Sequence, residues 1–212
     1  MAQIKKPEVE ARILAAARHE FAARGVAGAS VAAIAAGAGV ATGNVYRYFP
    51  GKAALLAAAV PPAVVARLRR LIAARVRALA GVADVAAVPA GAPYRVLSDE
   101  LLGFCAAHRL EVVIALAGDP DSPYAMVADQ LRRQLVRLAV AHAATLRPPV
   151  RITPTTRFVL DTIYRGFVAA MVAILRQYAT ADAIAAAVER HAAYHLTGLA
   201  RLLATEATRE AP

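Results

Sequence analysis

Alanine occupies 56 of the 212 positions, about one residue in four, and this excess restricts the fold more than any other feature. Alanine has the best intrinsic helix propensity and is depleted in strands. No run reads as a strand bounded by turn signals, so the sequence predicts an all-α chain. The same excess raises the apolar fraction to 59% and the mean hydropathy to +0.48, values that suggest a membrane protein. Without alanine, about a third of the chain is apolar, which is ordinary for a globular domain. One uncharged run, Gly25 to Tyr46, reaches the ~20 residues that a bilayer-spanning helix needs. Five glycines divide it, so a comfortable span is not expected there.

Charge narrows the partners. Lys and Arg number 25 against 15 Asp and Glu, a net charge of +10, which suits a polyanion: nucleic acid or an anionic membrane surface. The single cysteine, Cys105, excludes an intrachain disulfide and a thiolate metal cluster. Met1 to Glu8 has no apolar stretch of the secretory kind, and a cytoplasmic protein is expected.

The apolar periodicity divides the chain into helices. Val9, Ile13, Leu14, Ala17 and Phe21 recur at helical spacing after Pro7 and end at Arg24-Gly25, predicting a helix over 8–24. Ser30 can cap a second helix from Val31 to Gly37. After Gly39-Val40 a third runs from about Thr42 to Phe49 and stops at Pro50-Gly51. A helix over 53–60 must be interrupted at Pro61-Pro62 and resume from Val64 to Leu79. Residues 81–93 read as a linker. Further helices are expected at about 94–107, 109–117, 123–147, 154–179 and 181–206.

Three short helices within 50 residues, the last two joined by a glycine turn, describe a helix-turn-helix. Ala35, Ala38 and Gly39 allow the second and third helices to cross closely. Ile34, Val40, Val45 and Phe49 can hold the pair against Ile13, Leu14 and Phe21. In such a motif the start of the third helix enters the major groove. Thr42, Gly43, Asn44, Tyr46 and Arg47 would face outward there. Asparagine can pair bidentately with adenine and arginine with guanine, and glycine allows close backbone approach.

Phe21, Gly25, Ser30, Ile34-Ala35, Ala38-Gly39-Val40, Gly43, Tyr46, Tyr48-Phe49 and Lys52 resemble the N-terminal signature of the tetracycline-repressor (TetR) family. The resemblance covers about residues 12–55. It implies that Tyr46 and Lys52 contact phosphates and that the helix start near Ser30 holds the backbone. It also implies that Thr42, Gly43, Asn44 and Arg47 read bases or nearby phosphates. Two departures stand out: Ala41 replaces the usual Ser or Thr cap of the third helix, so that the cap is either lost or shifted to Thr42, and Pro61-Pro62 interrupts a fourth helix that the family keeps continuous.

Other constellations carry less. Arg67, Arg69, Arg70, Arg75 and Arg77 form the densest basic cluster; Arg67, Arg70 and Arg77 share a face that could bind DNA phosphate, anionic lipid or an acidic ligand and is expected as a solvated one. His191 and His195 share a face at i and i+4, but no third ligand and no His-Glu-x-x-His pattern accompanies them, so no metal is expected. No Gly-x-Ser-x-Gly elbow or phosphate-cradling glycine loop is present, and neither an enzyme nor a cofactor is expected. Phe104, Met126, Tyr164 and Phe167, with Gln130, Gln134, Asp161 and Arg165 as polar anchors, are candidates to line an effector cavity. They could equally fill an ordinary core.

The expected molecule is therefore an N-terminal three-helix DNA-binding domain, 7–52, and a C-terminal helical effector-binding and dimerisation bundle, 53–212. The last two expected helices form an amphipathic hairpin, which the family resemblance implies meets its copy in a homodimer. Its expected partners are a palindromic double-stranded DNA operator and a small-molecule effector, without a membrane. The expected action is that of a repressor. Two alternatives remain open: a regulator with a closed, ligandless core, and a basic amphipathic membrane-surface protein using 63–79.

Overall fold

The structure, a computed structural model, describes residues 6–85, 87–120 and 122–209. Among these it contains ten helices and no strand: α1 (Pro7–Gly28), α2 (Val31–Ala38), α3 (Thr42–Tyr48), α4 (Lys52–Ala59), α5 (Pro62–Arg77), α6 (Pro93–Ala107), α7 (Arg109–Leu116), α8 (Val127–Ala143), α9 (Pro154–Gln177) and α10 (Ala181–Arg209). The all-α expectation is met. Four of these helices open on a proline, whose fixed φ suits a first turn and whose missing N–H would have had no helical partner there. The break between α4 and α5 falls at Val60-Pro61, so the proline pair does divide the fourth helix.

Two boundaries differ from the periodicity. Gly25 takes φ 70° and ψ 177°, yet helical backbone resumes beyond it and carries α1 to Gly28. Helix α8 covers 127–143 rather than 123–147, because turns occupy both flanks. At the first flank the Tyr124 hydroxyl donates to the Val60 carbonyl, and at the second Val150 N–H reaches back to Ala143 O at 3.0 Å.

The chain forms two compact units. Of the described residues, one unit holds those up to Val65 and those between His108 and Ala128; the other holds those between Ala66 and Ala107 and those from Asp129 to Arg209. In the first unit α1 packs on α2, α4 and α7, and α2 packs on α3. Its core is Ile13, Ala17 and Phe21 of α1, Ile34 and Ala35 of α2, Val45 of α3, Leu55 and Leu56 of α4, and Val112 to Leu116 of α7. Each of the larger side chains contributes roughly 1.5–3 kcal/mol by leaving water. Arg18 ties three elements together: its Nε donates to Ala59 O at 2.9 Å and pairs with the buried Glu111 carboxylate at 3.2 Å.

In the second unit α10 packs on α9 and α6. Thr153 caps α9, accepting from Thr156 N–H at 3.1 Å, and its hydroxyl is 3.2 Å from the buried Glu206 carboxylate on α10. The Asp161 carboxylate on α9 pairs with Arg132 of α8 and, at 3.6 Å, with Arg165. Helix α9 is long and apolar enough to cross a membrane by length and composition, and only 28% of its most apolar window is buried within the protomer.

Candidate nucleic-acid interface

The geometry of residues 30–52 begins with two helix ends. Ser30 sits in extended backbone before α2, and its Oγ accepts from Ala33 N–H at 3.0 Å, which satisfies one of the unpaired amides of the first turn. Its own N–H donates to Glu20 of α1 at 3.3 Å. At the far end Gly39 adopts φ 65° and ψ 41°, a left-handed turn that glycine enters without steric cost. Val40 N–H then reaches Ala35 O at 3.0 Å, and the chain turns into α3. The crossing of α1 and α2 is close enough that a Cβ on Gly37 would lie 3.3 Å from the Ala16 methyl group.

Helix α3 has two unlike faces. Val45 and Tyr48 are buried, together with Phe49 just beyond the helix. The Tyr48 hydroxyl accepts from Lys6 N–H at 2.8 Å, so its polar tip is satisfied at the root of α1. On the opposite face Thr42, Gly43, Tyr46 and Arg47 are exposed and Asn44 is half-buried. Tyr46 is 52% exposed, unusual for so large a ring. The Arg47 guanidinium lies 5.5 Å from the Tyr48 ring centroid. Ala41 provides no side-chain cap and Thr42 is already helical, so the start of α3 has lost its cap rather than shifted it.

Lys52 behaves differently. It is half-buried, and its Nζ donates to Ala27 O at 3.3 Å and Ala29 O at 3.1 Å, joining the start of α4 to the α1–α2 corner. An ammonium carries three N–H groups, so one donor remains beyond these two carbonyls.

The structure thus gathers Thr42, Gly43, Asn44, Tyr46 and Arg47 on one short helix and places Ser30 and Lys52 at the corner formed by α1 and α2. The candidate effector residues are not gathered in this way. Tyr164 and Phe167 are neighbours, their rings 6.4 Å apart edge to face. Gln130 and Gln134 instead accept from Arg69 at 3.3 and 3.1 Å. Asp161 and Arg165 are paired as above, Phe104 lies under Arg67 at 5.3 Å, and Met126 is 53% exposed.

The basic cluster of α5 also divides. Arg67, Arg70 and Arg77 are exposed, as a solvated face requires, whereas Arg69 and Arg75 are half-buried and hydrogen-bonded to side chains. Helical spacing shows which residues share a face, but not that Tyr94 and Ser98 wait opposite Arg75. Among the described residues no group of three or more His, Cys, Asp or Glu side chains is placed to hold a metal ion.

Residues 13–59 match the model of the bacterial regulatory proteins of the tetR family. The resemblance carried by Phe21 to Lys52 is therefore borne out, and this segment is a DNA-binding helix-turn-helix of that type. Two solved structures are similar over nearly the whole chain. A TetR-like transcriptional regulator from Rhodococcus sp. RHA1 has 21% identity over 95% of this chain and 96% of that one, with a TM-score of 0.48. A tetR-family transcriptional regulator from Streptomyces coelicolor has 21% identity over 96% and 91%, with a TM-score of 0.41. No curated protein matches the sequence.

Proposed function

We propose that this chain is a dimeric repressor that binds a palindromic operator through α3 and leaves it when a small molecule binds the C-terminal bundle. The observation that carries the reading is the division of α3. A seven-residue helix buries Val45 and Tyr48 and turns Thr42, Gly43, Tyr46 and Arg47 outward, with Asn44 at the edge. A Cβ on Gly43 would meet nothing within 4 Å in the protein, so its absence leaves room for a duplex. On this reading residues 7–52 read DNA. Tyr46 and the remaining Lys52 donor hold phosphates, Ser30 fixes the α2 amides beside the backbone, and Thr42, Asn44 and Arg47 meet base edges. Residues 53–212 sense the effector and dimerise.

Dimerisation is supported by the apolar surface that α9 leaves uncovered. Phe158 is 72% exposed and lies on the same side as exposed Thr162, Gly166, Ala169 and Ala173, while Tyr194 of α10 is 81% exposed. Small residues let a second copy approach closely, and a patch of this kind marks a surface that another molecule covers. Asp161 and Arg165 within α9, with Asp161 ion-paired to α8, favour a second copy over lipid.

The test is affinity for duplexes selected from random DNA, measured across salt concentrations. Tyr46→Ala should weaken binding by a similar factor on every sequence. Asn44→Ala and Arg47→Ala should instead lose roughly 1–3 kcal/mol on the selected site and relax base preference. Absence of any preference for selected over random duplex at modest salt would overturn the reading.

A further inference from the structure

Helix α5 carries a guanidinium that is partly withdrawn from water without a counter-charge. Arg75 donates from Nε to Ser98 Oγ at 2.8 Å and from Nη2 to the Tyr94 hydroxyl, and its Cζ lies 4.6 Å from the centroid of the Tyr94 ring. No carboxylate among the described residues pairs with it, and burial holds its pKa below the ordinary value. Hydroxyls satisfy N–H groups but do not neutralise a charge, and buried charges are ordinarily paired.

The groups around it do not supply the missing counter-charge. His195 of α10 is pushed down to about 4, first by burial and then by the neighbouring His191 and Arg75. His191 Nε2 is buried and makes no hydrogen bond to the described residues. The rings of Phe167 and His195 lie 4.5 Å apart, those of Phe167 and His191 5.6 Å, and those of Tyr164 and His195 5.5 Å. The two imidazoles therefore pack on Tyr164 and Phe167, with His195 within electrostatic reach of Arg75, and among the described residues no carboxylate is paired with Arg75, His191 or His195. Packing alone would be served better by neutral side chains.

We propose that Arg75, His191 and His195 form the anion-binding end of a site for a small organic carboxylate with an aromatic body, walled by Tyr94, Tyr164 and Phe167. The proposal rests on the effector reading above and names the effector's chemistry. A single permanent cation matches a singly charged anion, and both the guanidinium and an imidazole N–H can donate to a carboxylate. Aromatic walls accept a flat ring edge to face or offset. A more highly charged inorganic phosphate would meet one fixed charge and apolar walls, which do not compensate it.

The experiment is calorimetric titration of the full chain with benzoate, phenylacetate and indole-3-acetate, against their primary amides and against inorganic phosphate. At least one carboxylate should bind at least tenfold more tightly than its amide and than phosphate. Arg75→Met should weaken that carboxylate by roughly tenfold to a hundredfold and leave the amide unchanged. His191→Phe, which keeps a ring against Phe167, should weaken it several-fold and serves if Arg75→Met does not fold. Equal binding of carboxylate and amide, phosphate binding more tightly, no binding of any of the three acids, or full affinity in both variants would each overturn the site.

Duplex binding by the same preparation separates the two readings. Carboxylate binding that leaves duplex affinity unchanged overturns the effector role and retains the site. A protein that binds its duplex but none of the acids overturns the site alone.

Discussion

Gly25 does two things that no other residue type can do at once. Its φ of 70° with ψ of 177° lies in a region of backbone space that is essentially confined to glycine. A Cβ there would also stand 2.8 Å from Asp119 Oδ2, the carboxylate that accepts from Val26 N–H. Gly25→Ala should therefore destabilise the first unit by about 1–3 kcal/mol through the backbone, with a further loss from the collision. In urea titrations Asp119→Ala should cost less in the Gly25→Ala background than in the wild type, because it then also relieves the clash. Equal costs in both backgrounds would remove the collision from the account. From sequence, Gly25 was legible as a helix end, because Arg24-Gly25 follows the last apolar repeat. Its pairing with Asp119 was not, because 93 residues separate Val26 from that carboxylate. The partners of Arg75 are not legible for the same reason: they are residues of another helix, and periodicity describes one helix at a time.

Among the elements, the short helices were the most legible. Serine and glycine fix the ends of α2 chemically, and the alternation of buried and exposed residues on α3 follows from seven positions. The ends of α8 were less so, since turn residues and the Tyr124 hydroxyl decide them rather than apolar spacing. The amphipathic hairpin of α9 and α10 was readable as such, but how much of α9 the protomer leaves bare was not, because that depends on which helices cover it. The uncovered side permits a direct prediction. Phe158→Asp places a charge on the proposed contact while touching little inside the protomer, where Phe158 is 72% exposed. Sedimentation should show the dimer weakened at least tenfold, with far-UV helicity unchanged. An unaltered dimer would place the interface elsewhere.

At the scale of the whole molecule the alanine excess takes on its meaning. Among the described residues it gives ten helices whose small side chains allow close crossings, and it disguises a basic chain as a membrane protein. The uncharged run from Gly25 to Tyr46 is the corner of a helix-turn-helix, and its low charge reflects close packing around Gly37 and Gly39. The +10 charge lies elsewhere, available to steer the chain towards a polyanion. One head reads too few base pairs to bind tightly, whereas two heads about one helical turn apart, ~34 Å, bind a palindrome cooperatively. The central claim is that two copies of α3 read DNA as a pair, and fluorescence anisotropy on a selected duplex tests it most directly. The full palindrome should be bound at least a hundredfold more tightly than a duplex carrying one half-site, and inserting half a helical turn between half-sites should abolish the difference. Equal affinity for palindrome, half-site and random duplex would contradict it.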